Sequence, residues 1–164
     1  MAVKTIISVP EHADVLKSVS EKVSMDDPLL PEIIRDMKDT LMATPSGVGL
    51  AAVQIGVRKR IFALRKHYVY DYLDENSAFR QKEDEVFIFI NPKIISAKGT
   101  LNEEEGCLSV PGQSRRIKRA RLVKLRALDE NGVQFYDTFR GLASRAVQQE
   151  MDHLNGILII DHKE

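Results

Sequence analysis

Apolar residues in this chain come in short bursts, and only two segments keep a helical period long enough to pack a helix against a core. From Pro31 to Ala43, residues Ile33, Ile34, Met37, Leu41 and Met42 recur at helical spacing, and Pro31 suits a first-turn position where its missing N–H is harmless. The pattern breaks at Thr44-Pro45-Ser46-Gly47. From Gly141 to Asn155 there is no proline, good helix formers dominate, and Gly156 follows as a natural left-handed cap. Leu142, Ala146, Gln149 and His153 share one stripe of this second helix, so two polar side chains lie on an otherwise apolar face.

The bursts between the helices are strand-like. Arg60 to Leu64 and Val86 to Ile90 are apolar or β-branched and bounded by polar stretches, and Asn91-Pro92 separates the latter from Ile94-Ile95. Arg121 to Ala127 alternates, with Val123, Leu125 and Ala127 on one face; the turn Asp129-Glu130-Asn131-Gly132 then predicts a β-hairpin with Val133 to Phe139. The charged, tyrosine-rich segment from Lys66 to Glu85 has no period and reads as an excursion loop, open to motion. Strands and two separated helices that do not alternate as βαβ units give an α+β class. Short, mainly antiparallel strands then surround the C-terminal helix. There are no repeats or linkers, and 164 residues with 43% apolar content fit one domain over 1–164.

Charge and cysteine content narrow the setting. Lys plus Arg equals Asp plus Glu at 24 each, so no overall field favours DNA or an acidic membrane. Cys107 is the sole cysteine, so no internal disulfide forms. The opening MAVKTIISV lacks a secretory core, and no apolar run approaches the ~20 residues of a bilayer span. A cytoplasmic address follows as the simplest one, with a mature organellar form looking the same.

Three segments carry chemistry. In QEMDH, Gln149, Glu150 and His153 stand at i, i+1 and i+4 of a helix, the geometry by which zinc hydrolases present two ligands and a general base. Both ends are usually histidine; here Gln149 leaves His153 as the helix's one good ligand, beside Glu150 as base. The blander reading is a hydrogen-bonded helix histidine. Glu105-Gly106-Cys107-Leu108-Ser109-Val110-Pro111 sets the cysteine beside glycine. Lone cysteines are more often buried hydrophobes, yet thiolate is a strong ligand for zinc or ferrous iron. Gly47-Val48-Gly49-Leu50-Ala51-Ala52-Val53-Gln54 permits close backbone approach and offers the Gln54 amide as a donor; alone it reads as a tight turn.

Together, GVGLAAVQ, EGCLS and QEMDHLNG, in that order and with the flanking IG, NP and VRALDENG, closely resemble the peptide deformylase family from about Pro31 onward. The resemblance implies one divalent metal, ferrous iron first and zinc, nickel or cobalt as alternatives. Its ligands would be the EGCLS cysteine and the two histidines of HExxH, with one position left for water. It implies hydrolysis of the N-formyl group on the N-terminal methionine of nascent polypeptides, releasing formate, which leaves the ribosome open as a further partner. Carried over position by position, Cys107 and His153 match as ligands and Gln149 does not. Glu150 would be general base and then acid. Gln54 and the Leu108 backbone N–H would steady the oxyanion, Gly49 would meet the formyl end, and Val48 and Leu142 would line the methionine pocket.

Gln149 is the main departure, because an amide oxygen is a poorer donor to zinc or iron than imidazole. A divergent low-activity member, a pseudoenzyme and an engineered substitution all fit it. Two smaller departures are the end of the chain just after an ILIIDH strand, where many members continue into a helix, and the length of the 66–85 excursion. Two alternatives stand beside the hydrolase. One is an inactive module that binds N-terminal peptides, and the other is a metal-free thiol hydrolase using Cys107 with His153. The run Arg115, Arg116, Lys118, Arg119, Arg121, Lys124 and Arg126 reads as the solvated face of a strand in preference to a ribosomal RNA contact.

Overall fold

The computed structural model describes residues 3–163; Met1, Ala2 and Glu164, which the one-domain reading includes, lie outside the described residues. Four helices, α1 (Ala13–Leu16), α2 (Leu30–Met42), α3 (Lys66–Val69) and α4 (Gly141–Leu154), accompany seven strands among the described residues. The strands are β1 (Gly49–Ala51), β2 (Ile61–Arg65), β3 (Val86–Lys98), β4 (Leu101–Cys107), β5 (Val110–Arg119), β6 (Leu122–Leu128) and β7 (Gln134–Arg140). One antiparallel sheet has the order β1-β2-β3-β6-β7, and β4 pairs with β5 as a separate antiparallel ribbon. The α+β class and the antiparallel strands around α4 are as the sequence predicts.

Strand alternation sends successive side chains to opposite faces of the large sheet. Phe62, Leu64, Phe87, Phe89, Val123, Leu125 and Phe139 face α4, where Ala143, Val147, Met151 and Leu154 fill the interface. Ile61, Ala63, Ile88 and Ile90 point the other way and meet Ile34, Met37 and Leu41 of α2. A third cluster ties the ribbon to both ends of the chain: Val110 and Ile117 pack against Leu16, Leu158 and Ile159. Gly156 closes α4 at φ 74°, and any Cβ there would collide with the Lys17 carbonyl, so only glycine fits where the helix end presses on the N-terminal segment.

Both predicted helices and the β6–β7 hairpin form within a residue or two of the expected bounds. Three expectations need correction. The 66–85 segment is an ordered excursion: Val69, Leu73 and Phe79 are buried, and the Phe79 ring lies 4.5 Å from Phe87 and 5.3 Å from both Phe89 and Phe135. Ser77 caps the turn at Ala78–Gln81 and donates to Asp137 Oδ2 at 2.6 Å. Asn91-Pro92 does not end a strand; β3 runs through it with a register shift, Asn91 taking φ 49° while its amide holds both backbone groups of Val23 at 2.8 and 2.9 Å. Finally, ILIIDH is not a strand. Asp161 folds back to accept from the Leu158 N–H at 2.8 Å and turns Ile159–Asp161 into a 3₁₀ turn.

Candidate functional site

Three elements converge at one end of α4. The turn of the β4–β5 ribbon brings Cys107 there, β1 and the 3₁₀ turn after it bring Gly49 and Gln54, and α4 supplies Gln149, Glu150 and His153. With Val48 and Leu108 these residues line one cavity of about 100 Å³. Leu142 does not line it; Ala146, one turn further along the same stripe, does. Ser46, Gly47 and Gly106 also border the cavity and were not singled out from sequence, although each lies inside or beside a motif that was.

The ribbon is held on α4 by buried charge. Arg119 of β5 donates to both Glu105 oxygens at 2.9 and 2.8 Å and to Asp152 Oδ2 at 2.7 Å. Burial alone would lower the Arg119 pKa; its bonds to Glu105 and Asp152 outweigh this and raise it. His162 lies 2.9 Å from the same Asp152 oxygen, and Arg145 lies 3.5 Å from Glu105. Gln148 clamps the Ala120 backbone through both amide atoms at 3.0 and 2.8 Å, stitching the start of β6 to the helix. Sequence reading missed this arrangement, since Arg119 is one cation of seven in a basic run and nothing local marks it as buried.

Cys107 Sγ and His153 Nε2 stand 3.4 Å apart. Two donors on one tetrahedral zinc are separated by roughly 3.5 Å, so the pair fits two of an ion's ligands. Gln149 lines the cavity beside this pair. Its amide nitrogen donates at 3.2 Å to Glu105 Oε1 and at 3.2 Å to the Gly106 carbonyl. Both partners are acceptors, which fixes the amide's orientation and leaves its oxygen as the only atom able to serve a cation. Among the described residues no three His, Cys, Asp or Glu side chains converge as a metal set; the side chain beside Cys107 and His153 is the Gln149 amide. A thiolate, an imidazole and an amide oxygen still make a chemically sound, weaker donor set.

Burial dominates the protonation states. It pushes the Cys107 thiol up to about 12, with the Ser109 and Val110 backbone N–H groups opposing and Glu150 and Glu105 reinforcing. It lowers His153 to about 4, Asp152 opposing and Arg119 adding to the effect. The protein alone therefore holds a neutral thiol against a neutral imidazole. Glu150 is raised to about 8 by burial, against the pull of Arg119 and with smaller upward contributions from Asp152 and Glu105. Its Oε1 has no hydrogen-bond partner among the described residues, an orphaned acceptor that only something bound in the cavity would satisfy. Gly49 makes room for this carboxylate: a Cβ there would lie 2.9 Å from Glu150 Oε2 and 3.0 Å from the Ala63 carbonyl.

Gln54 is aimed by the backbone three residues before it. Its Oε1 accepts from the Ala51 N–H at 2.9 Å, which turns Nε2 toward Ser109 Oγ at 3.1 Å and Cys107 Sγ at 3.8 Å. The basic run does not form one face: Arg119 is buried, Arg116 reaches the Asn102 carbonyl on the ribbon, and Lys124 and Arg126 belong to the large sheet.

Comparisons with known proteins identify the family. The family model described as polypeptide deformylase matches residues 3–164. A peptide deformylase of Phenylobacterium zucineum is 40% identical over 163 residues, covering 99% of this chain and 88% of that protein. One from Thermodesulfovibrio yellowstonii is 37% identical over 161 residues, covering 98% and 89%. The crystal structure of a peptide deformylase from Legionella pneumophila superposes with a TM-score of 0.81 at 35% identity, covering 99% of this chain and 87% of that one. The Met-Ala-Ser-bound class I type b peptide deformylase of Acinetobacter baumannii gives 0.80 at 30% identity, covering 99% and 100%. From its first described strand to its last helix, this chain belongs to the peptide deformylase family.

Proposed function

We propose that this single domain removes the formyl group from the N-terminal methionine of nascent polypeptides, with Cys107, His153 and the Gln149 amide oxygen as the ligands of one divalent metal. Family membership carries the reaction, and that family is metal-dependent. The observation that carries the assignment to these residues is the 3.4 Å approach of Cys107 Sγ to His153 Nε2 beside the buried Glu150 carboxylate. Ferrous iron is the first candidate, followed by zinc, nickel or cobalt. When bound, the cation supplies Lewis acidity and makes water a nucleophile near neutral pH.

The chain's own groups do the rest. With a bound cation opposing the burial that raises its proton affinity, Glu150 would accept the proton of the attacking water and pass it to the leaving amine. Gln54 Nε2 and the Leu108 N–H donate to the formyl oxygen as charge builds on it, each worth ~3 kcal/mol. Gly49 leaves space for the formyl end, and β1, an edge strand of the sheet, offers its open side to an extended peptide, apart from the Ala51 N–H that Gln54 Oε1 already holds. Val48 borders the methionine pocket, with Ala146 on its α4 side in place of Leu142. The Acinetobacter neighbour's bound Met-Ala-Ser peptide supports a methionine-first ligand here. The ribosome is the natural site of encounter. Binding without cleavage is not favoured by the family membership, and the neutral thiol lends no support to metal-free thiol chemistry.

Gln149 weakens the metal. Reconstituted anaerobically with ferrous iron, the protein should release formate from formyl-Met-Ala-Ser, and Gln149→His should hold iron about tenfold or more tightly, measured by chelator competition. A Gln149→His protein that binds iron stoichiometrically yet releases no formate would end this reading.

A further inference from the structure

The two faces of the large sheet are covered unequally. α4 lines one of them, whereas on the other α2 packs over β1, β2 and the first half of β3. Beyond Ile90 that second face carries no helix, and its outward positions follow from strand register. Lys93 stands opposite Arg126, which stands opposite Tyr136; Ser96, Lys124 and Thr138 form the next row; Lys98, Leu122 and Arg140 form the last. The intervening Val123, Leu125 and Ala127 are buried, which confirms the sidedness. Five outward positions are thus cations and none is a carboxylate. None of the five forms an ion pair among the described residues.

The Lys93–Arg126 pair costs stability, since like charges directly opposite on neighbouring strands repel. The chain has as many acids as bases, 24 of each, so neutralising residues were available and are absent from this face. At its edge the sheet also borders a cavity of about 440 Å³ lined by Lys22, Arg60, Lys93 and Arg126 with no acid among them. The Arg60 guanidinium is partly committed there, donating to the Leu154 carbonyl at 3.0 Å and to Asn155 Oδ1 at 3.1 Å. Tyr136 is 53% exposed in the middle of the patch, with Lys124 Nζ 5.6 Å from its ring centroid.

We propose that this uncovered half-face binds single-stranded RNA. The cations would take the phosphodiester backbone and Tyr136 would stack a base. Charge complementarity points to a polyanion, and the exposed ring among cations points to one with flat bases. A lipid surface would need more apolar side chains than Leu122 and Tyr136 supply on these rows. The choice of RNA rests on the deformylation reading, because RNA is the polyanion that surrounds a polypeptide still being made.

The test is fluorescence anisotropy of the full chain with a labelled uridine dodecamer across a salt series, beside sedimentation with phosphatidylserine vesicles. Four phosphate contacts predict a salt slope of about 3, or about 50-fold weaker binding between 50 and 200 mM salt. Lys93→Gln/Lys124→Gln/Arg126→Gln should cut that slope to about 1. Its Tm should be unchanged or higher, because repulsion is relieved. Tyr136→Ala should weaken binding about tenfold at constant slope, and Arg116→Gln/Lys118→Gln on the ribbon should change neither quantity. An unchanged slope in the triple variant, an equal loss in the ribbon control, or vesicle binding stronger than RNA binding each overturns the proposal. Formate release separates the two readings: RNA binding by a protein that never releases formate sinks the function and not the surface.

Discussion

The molecule contains two β-hairpins of similar size held in opposite ways. β6–β7 lies in the large sheet, and its inward side is apolar, with Val123, Leu125 and Ala127 against Phe135 and Phe139. Its one inward acid, Asp137, is satisfied by Ser77. The β4–β5 ribbon buries only Val110 and Ile117 among its apolar residues and is otherwise fixed by charge and hydrogen bonds. Glu104 accepts from Ser114 at 2.7 Å, and Arg119 spans Glu105 and Asp152. An isolated two-stranded ribbon is marginal in water, so its position depends on what anchors it. Apolar packing is non-directional, whereas the bidentate Arg119–Glu105 pair fixes angle as well as distance. The hairpin that brings Cys107 to α4 is the one held by the directional kind.

Arg119→Leu attacks that contrast hardest. It removes the cation that the Glu105 and Asp152 carboxylates share, leaving Arg145 3.5 Å from the first and His162 2.9 Å from the second, and the expected loss is about 3 kcal/mol in urea unfolding. Arg119→Lys should recover little of it, since an ammonium cannot make the fork. A loss below ~1 kcal/mol would mean the ribbon is held by the Val110 and Ile117 contacts instead. On the other hairpin Leu125→Ala should cost about 3 kcal/mol by cavity formation, and it should leave iron affinity untouched because no charge or ligand moves. If iron affinity falls with it, the two hairpins are not mechanically separate. The smallest effect is expected from Ser114→Ala, which removes an exposed bond to Glu104 and should shift stability by less than ~1 kcal/mol.

The same contrast explains what could be read from the sequence. β6–β7 and both long helices are legible because their burial has a period and their ends carry turn or cap residues. β4 is not, since Leu101-Asn102-Glu103-Glu104-Glu105 looks like a solvated loop until its partners in β5 are known. The 66–85 excursion is built from turns of three or four residues, too short to carry a period, and its anchors Leu73 and Phe79 look like isolated apolar residues. At the site, the residues within the three motifs were legible because each motif is local. The network behind them was not, since Arg119 meets partners 14 and 33 residues away and sequence spacing says nothing about such pairs. Gln149 was visible as a departure, yet its tie to Glu105 and Gly106 emerges only from the folded chain.

The anchoring of the excursion has a practical side. Leu73 and Phe79 are buried on either side of the exposed stretch Asp74-Glu75-Asn76, so a protease that cuts there severs a strap already fastened at both ends. The two fragments should travel as one particle in gel filtration and part only under denaturing electrophoresis, which also marks that stretch as a place to graft a reporter.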